Sequence, residues 1–138
     1  CIAPKNLMKE FRKVHQFNVF SVNSVAQVAF AEIMKRKELY LELSSLYQQK
    51  RDYFRKAIQS SRFKALKCEG TYFQLVSYGK ISQERDLEFV KRMTKDNGVA
   101  AIPISVFYRH QTDNSIIRFC FAKEEETLKR AAERISKM

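Results

Sequence analysis

The chain has 138 residues, 45% of them apolar, with only 3 Gly and 2 Pro. That is enough to bury one core and too ordered a composition for a linker. The formal net charge of +11 leaves nucleic acid, an anionic membrane and plain solvated helix faces open, while no apolar run reaches the roughly 20 residues of a membrane span.

Three cysteines, Cys1, Cys68 and Cys120, have no short metal-ligand spacing between them, which argues against a disulfide framework and a zinc site. No charged-then-apolar secretory signal opens the sequence, so a soluble protein of the cytoplasm is expected. Cys1 in place of Met makes it read as a piece of a longer chain. The basic excess sits mostly in the first half, in Lys9, Arg12, Lys13, the Lys35-Arg36-Lys37 triplet and Lys50-Arg51. Each lies on a segment with helical apolar spacing and none in a nucleic-acid module signature, so solvated helix faces are the plainer reading.

Pro4 suits a first helical turn, and Leu7, Met8, Phe11 and Val14 predict a short helix up to His15. The period is then lost until Ser24 offers a cap for a second helix carrying Val25, Val28, Ala29 and Ile33. From Tyr40 to Ser60 the positions Leu43, Leu46, Tyr47, Phe54, Ala57 and Ile58 line one face of a helix of about five turns, a length that suits a connector between two bodies. Phe63 to Leu66 and Thr71 to Ser77 read as strands with Glu69-Gly70 as the bend between them. Ser82 opens a helix that stops at Asn97-Gly98. Val99 to Ile104 and Ile116 to Phe121 are strands, and a last helix opens at Glu124. The second half thus predicts β-β-α-β-β-α, a two-layer α/β unit with helices on one face of a small mixed sheet.

Within Ile116-Ile117-Arg118-Phe119-Cys120-Phe121, alternation puts Ile117, Phe119 and Phe121 on one face and Arg118 on the other. A guanidinium in so apolar a strand needs an anion, and its planar fork suits a carboxylate held by two parallel bonds. That anion could be an acid of the protein or a ligand, or the side chain could reach water at a sheet edge. His15 and His110 have no companion at catalytic or metal spacing, and Cys68 and Cys120 read as small core residues. No phosphate loop, nucleophile elbow or carboxylate pair is present.

The stretches CIAP, KVHQFNVFSVNSVAQ, CEGTYF, NGVAAIPISVFY and IIRFCFAKEEETLKRAAERI together resemble, in order and over almost the whole chain, the C-terminal part of fold-type I aminotransferases of class I and II. The branch they look most like holds the methionine and kynurenine aminotransferases. The resemblance implies the end of a large cofactor domain over residues 1–36, a connector helix over 37–60 and a small C-terminal α/β domain over 61–138. It implies that Arg118 binds the substrate α-carboxylate, that Gly70, Thr71 and Tyr72 form a turn near the substrate, and that Phe107 and Tyr108 make an aromatic wall. Phe20 and Ser21 match positions that reach the neighbouring subunit's site in a homodimer.

The cofactor implied is pyridoxal 5'-phosphate, and the partners are amino acid and 2-oxo acid substrates, with neither membrane nor nucleic acid. No lysine here matches the one that holds the cofactor and moves the α-proton, so the chain itself is expected to be inactive and to hold no catalytic, covalent cofactor-binding or metal residue. Ser21 stands where kynurenine enzymes commonly have histidine, and Val25 where a proline is common. The first departure points to methionine-like donors ahead of aromatic or kynurenine-type ones. A catalytically dead sensing or regulatory module and a basic nucleic-acid-binding module are the rival readings.

Overall fold

Residues 1–138 are all described by a computed structural model, and the two-residue burial alternation of the strand Ile116–Cys120 organises its larger part. By its contacts the chain divides into two compact units, Cys1–Glu42 and Leu43–Met138.

The second unit contains a four-stranded sheet built from β1 (Lys64–Ala65), β2 (Phe73–Ser77), β3 (Ile102–Pro103) and β4 (Ile116–Cys120), in the order β1-β2-β4-β3. The central pair has Leu75 opposite Arg118 and Val76 opposite Ile117. Gln74, Val76, Ile117 and Phe119 are buried on one face. Against that face lie helices α4 (Leu43–Ala57), α5 (Asp86–Asn97) and α6 (Glu125–Ile135), numbered after three helices of the first unit. Phe54 and Ile58, Phe89 and Met93, and Leu128 and Ile135 complete a single core. Burying a side chain of this size contributes about 1.5–3 kcal/mol, so this apolar face holds the unit together.

The first unit holds α1 (Lys5–Val19), α2 (Ser24–Ile33) and α3 (Glu38–Leu41), and none of these helices has a buried residue. Leu7, Phe11, Val14, Phe17, Val25 and Val28 are all exposed. No helix of the chain is long and apolar enough to cross a membrane.

Several elements differ from the sequence-based expectation. The first helix continues past His15 to Val19, because Phe17 and Val19 extend the apolar spacing that weak local propensity obscured. The cap of α2 is Asn23, whose side-chain oxygen accepts from the Ala26 N–H at 3.0 Å; Ser24 is already helical. The expected run from Tyr40 to Ser60 is interrupted at Glu42, and its long part ends at Ala57 in turns. Ser82 does not start α5: its Oγ accepts from the Glu84 N–H and closes a local turn, and the helix begins at Asp86.

The sheet is antiparallel throughout and not mixed. Strands β2 and β3 do run the same way across α5, but β4 enters between them with opposite direction. The β-α-β order in the sequence therefore conceals that these two strands never become neighbours. Strand β3 has only two ladder residues, one of them Pro103, which has no N–H to donate.

Candidate functional site

On the sheet face turned away from the helices, Arg118 occupies the middle of β4, with Leu75 and Ile102 as its cross-strand partners. Its half-buried guanidinium lies with its carbon 3.9 Å from the centre of the Phe73 ring and 5.1 Å from that of Phe107. The Nε atom is buried and has no hydrogen-bond partner. None of the ion pairs of the chain includes Arg118. Two aromatic faces stabilise the cation by about 0.5–2 kcal/mol each but cannot accept the N–H bond, whose loss costs about 1–3 kcal/mol or more. Of the three partners left open by the sequence, a carboxylate of these 138 residues is thereby removed. The arrangement can hold an acceptor that approaches from outside the fold.

Phe107 is placed by a chain of buried polar contacts. It ends a short 3-10 turn, Ser105–Phe107, and is largely exposed except toward Arg118. The Asp86 carboxylate, 1% exposed, accepts from the Ser105 N–H and from the Ser105 hydroxyl, each at 2.7 Å. Asp86 is itself fixed, its N–H donating to the Asp113 carboxylate at 2.7 Å. Tyr78, wholly buried and stacked on Phe89 at 4.2 Å, donates to the Glu84 carbonyl at 2.8 Å. Burial, and then the negative charges of Asp113 and Asp86, push the Tyr78 phenol well above its ordinary pKa. This network has every charge satisfied, in contrast to Arg118.

The other sequence-predicted residues fall in different places. Tyr72 joins the cluster through its neighbour, its ring 4.2 Å from that of Phe73 and 5.9 Å from that of Tyr47. Gly70 and Thr71 form the exposed bend ahead of β2, and a Cβ added at Gly70 would meet nothing within 4 Å. Nothing inside the chain therefore requires glycine there. Tyr108 is exposed and closes the 3-10 turn through its N–H to the Ser105 carbonyl at 3.0 Å. Phe20 and Ser21 belong to the first unit, where Phe20 is 94% exposed with a φ of 61°. That backbone costs about 1–3 kcal/mol for a residue with a side chain.

The residue that sequence reasoning missed is Phe73. Its signal is the alternation of Phe73 and Leu75 on the face opposite Gln74 and Val76, which becomes informative only once β2 is paired with β4.

No group of three or more His, Cys, Asp or Glu side chains comes together as a metal site, and the three cysteines are free. The sequence profile described as "Aminotransferase class I and II" matches residues 1–135. The chain belongs to that family. It is 48% identical to the methionine aminotransferase of Escherichia coli strain K12, over 100% of this chain and 36% of the relative. It is 34% identical to human kynurenine–oxoglutarate transaminase 1, over 99% of this chain and 37% of the relative.

Among solved structures, YbdL from Escherichia coli, reported with a methionine aminotransferase function, superposes with a TM-score of 0.94 at 47% identity, covering 100% of this chain and 37% of that one. N-Succinyldiaminopimelate aminotransferase from Mycobacterium tuberculosis follows with 0.86 at 26% identity, over 98% of this chain and 36% of that one. The chain thus spans little more than a third of the length of these relatives.

Aminotransferases of this family depend on pyridoxal phosphate. The residues gathered at Arg118, namely Phe73, Leu75, Ile102 and Phe107, offer no amine to tether that cofactor and no carboxylate to hold its ring nitrogen. They fit an acid group and not the cofactor.

Proposed function

We propose that these 138 residues are the substrate-carboxylate end of a pyridoxal-phosphate-dependent aminotransferase that moves an amino group from an amino acid to a 2-oxo acid. The observation that carries this reading is the buried, unpartnered Nε of Arg118, whose guanidinium carbon lies 3.9 Å from the Phe73 ring centre and 5.1 Å from that of Phe107, with no carboxylate of this chain paired to it. A guanidinium can clamp a carboxylate by two parallel hydrogen bonds. The clamped acid group cannot rotate, so the α-carbon and amino group next to it are held in one orientation. Phe73 fixes the plane of the fork, and Phe107 shields it from water.

In this reading the cofactor and its lysine come from residues other than these, and the chain alone does not catalyse transfer. Residues 1–36 belong to the large domain, 37–60 to the connector and 61–138 to the small domain. The whole enzyme is a cytoplasmic homodimer in which Phe20 and Ser21 serve the neighbouring subunit's site; Phe20's exposure and positive φ support that role. Gly70, Thr71, Tyr72 and Tyr108 border the substrate. Methionine-like donors are favoured, supported by the 48% identity to the Escherichia coli methionine aminotransferase and by Ser21.

The test is Arg118→Lys in the whole enzyme, with folding and cofactor content checked. Lysine keeps the charge and loses the fork, so kcat/KM for methionine should fall about a hundred-fold or more. Activity within a factor of two of the parent would overturn the assignment.

A further inference from the structure

The basic residues of α4 are not all solvated, contrary to the plainer reading of their charge. Lys50, Arg51 and Arg55 are half-buried, and each donates to a main-chain carbonyl. Lys50 Nζ reaches that of Lys123 at 2.6 Å, Arg51 Nη1 that of Cys68 at 3.2 Å and Arg55 Nη1 that of Leu66 at 2.9 Å. Asp52 orients the Arg51 fork, its Oδ1 accepting from Nε at 2.8 Å and lying 2.7 Å from Nη2.

Two of these three bonds fall on the segment Leu66–Cys68, which runs just ahead of β2. Main-chain pairing of that segment with β2 ends where the Leu66 N–H donates to the Leu75 carbonyl at 2.9 Å. Two residues on, Cys68 holds β2 by its side chain: the thiol donates to the Phe73 carbonyl at 3.1 Å. Phe73 is the first residue of β2, and it carries the ring 3.9 Å from the Arg118 guanidinium carbon. Strand ends fray unless they are tied. Arg51, the Cys68 carbonyl, the Cys68 thiol and the Phe73 carbonyl therefore form one line of contacts that runs from α4 to the residue facing Arg118.

We infer that Arg51 and Cys68 are positioning residues for binding of the substrate carboxylate: Arg51 fixes the main chain at Cys68, Cys68 fixes the start of β2, and both act through the Phe73 ring. The inference rests on the proposed role of Arg118. It adds to that role a support from α4, on the side of β2 away from β4. A thiol is a weak donor, so its loss should be read as a change of a few-fold in substrate binding.

The experiment measures KM and kcat for methionine in the whole enzyme, with folding and cofactor content checked in every variant. Cys68→Ala and Arg51→Met should each raise KM about three-fold and leave kcat within about two-fold, because the clamp holds the acid group equally before and during reaction. Cys68→Ser, which restores a donor, should return KM to within about two-fold of the parent. A double-mutant cycle adds the decisive readout: in a Phe73→Leu background, Cys68→Ala should have no further effect on KM. Should Arg51→Met not fold, the Cys68 variants and the cycle decide alone.

An unchanged KM in Cys68→Ala, with Arg118→Lys still impaired, would overturn the inference and leave Arg118 as the carboxylate partner. Full additivity of Cys68→Ala and Phe73→Leu would overturn it too, since Cys68 would then act by another route. Parent-like kinetics in Arg118→Lys would remove both this inference and the reading on which it rests.

Discussion

The guanidinium carbon of Arg118 sits 3.9 Å from the ring centre of Phe73, a residue of the neighbouring strand displaced by two pairs along the ladder from Leu75, the direct partner of Arg118. The aromatic surface nearest the fork thus comes from a diagonal neighbour and not from its direct cross-strand partner. Phe73→Leu keeps an apolar β2 but removes the aromatic face, worth about 0.5–2 kcal/mol. Carboxylate affinity at Arg118 should therefore weaken about three- to ten-fold, with Phe73→Tyr close to the parent. The Arg118 Nε–H resonance, followed during titration with the 2-oxo acid of methionine, reports it. Unchanged affinity in Phe73→Leu would show that the ring does not position the fork.

What could be read from the sequence here was what depends on local alternation. Arg118 stood out because its strand is apolar at nearly every other position, and the burial of Ile117 and Phe119 repeats that period. Phe73 could not be found in the same way, since its partner lies 45 residues further along and is fixed by register alone. The interruption at Glu42 was equally hidden: glutamate is a good helix former, and an apolar stripe runs on both sides of it. Strand direction was misjudged for a topological reason, because no local signal announces that β4 will insert between β2 and β3. The stop at Gly98 was legible because a left-handed C-cap favours one residue type.

That stop gives a prediction of its own. Gly98 has φ +65° and its N–H donates to the Thr94 carbonyl at 3.1 Å. An alanine there would be strained, and its Cβ would overlap the end of the Arg134 side chain. The guanidinium can swing away but gives up its bond to the Gly98 carbonyl. Gly98→Ala should lower stability by about 1–2 kcal/mol, read as a shifted urea midpoint with an unchanged slope. Gly70→Ala, which meets open space at an ordinary φ, should change it by less than about 0.5 kcal/mol.

Alkaline pH should find a weak point at Tyr78. Burial and the nearby Asp113 and Asp86 charges raise its folded pKa above that of the unfolded chain, about 10. Below that unfolded value both states are protonated and the contribution is fully present. Above it the unfolded state loses a proton that the folded state keeps, so stability falls with rising pH, by up to about 1.4 kcal/mol per unit from this group. Tyr78→Phe gives up the bond to the Glu84 carbonyl and is less stable at pH 7, yet its stability should fall less steeply between about pH 10 and 12. Identical slopes for the two proteins in chemical denaturation would exclude Tyr78 as the titrating group.

The turn that carries Phe107 depends on one carboxylate far from the fork. Asp86 takes both the N–H and the hydroxyl of Ser105, and Phe107 stands two residues further on against Arg118. Asp86→Asn retains the shape but removes the charge: its oxygen still accepts from the Ser105 N–H, and its NH2 meets the Ser105 oxygen only once that hydroxyl turns to accept. Exchanging two charge-assisted buried bonds for neutral ones costs about 1–3 kcal/mol. Stability loss alone would be expected of any buried carboxylate, so the informative readout is the Arg118 Nε–H resonance, which feels the ring current of Phe107. It should move in Asp86→Asn, and carboxylate affinity should fall about two- to five-fold, although Asp86 makes no contact with Arg118. A destabilised variant whose Nε–H resonance and affinity match the parent would mean that Phe107 holds its place without the turn, and that Asp86 serves stability only.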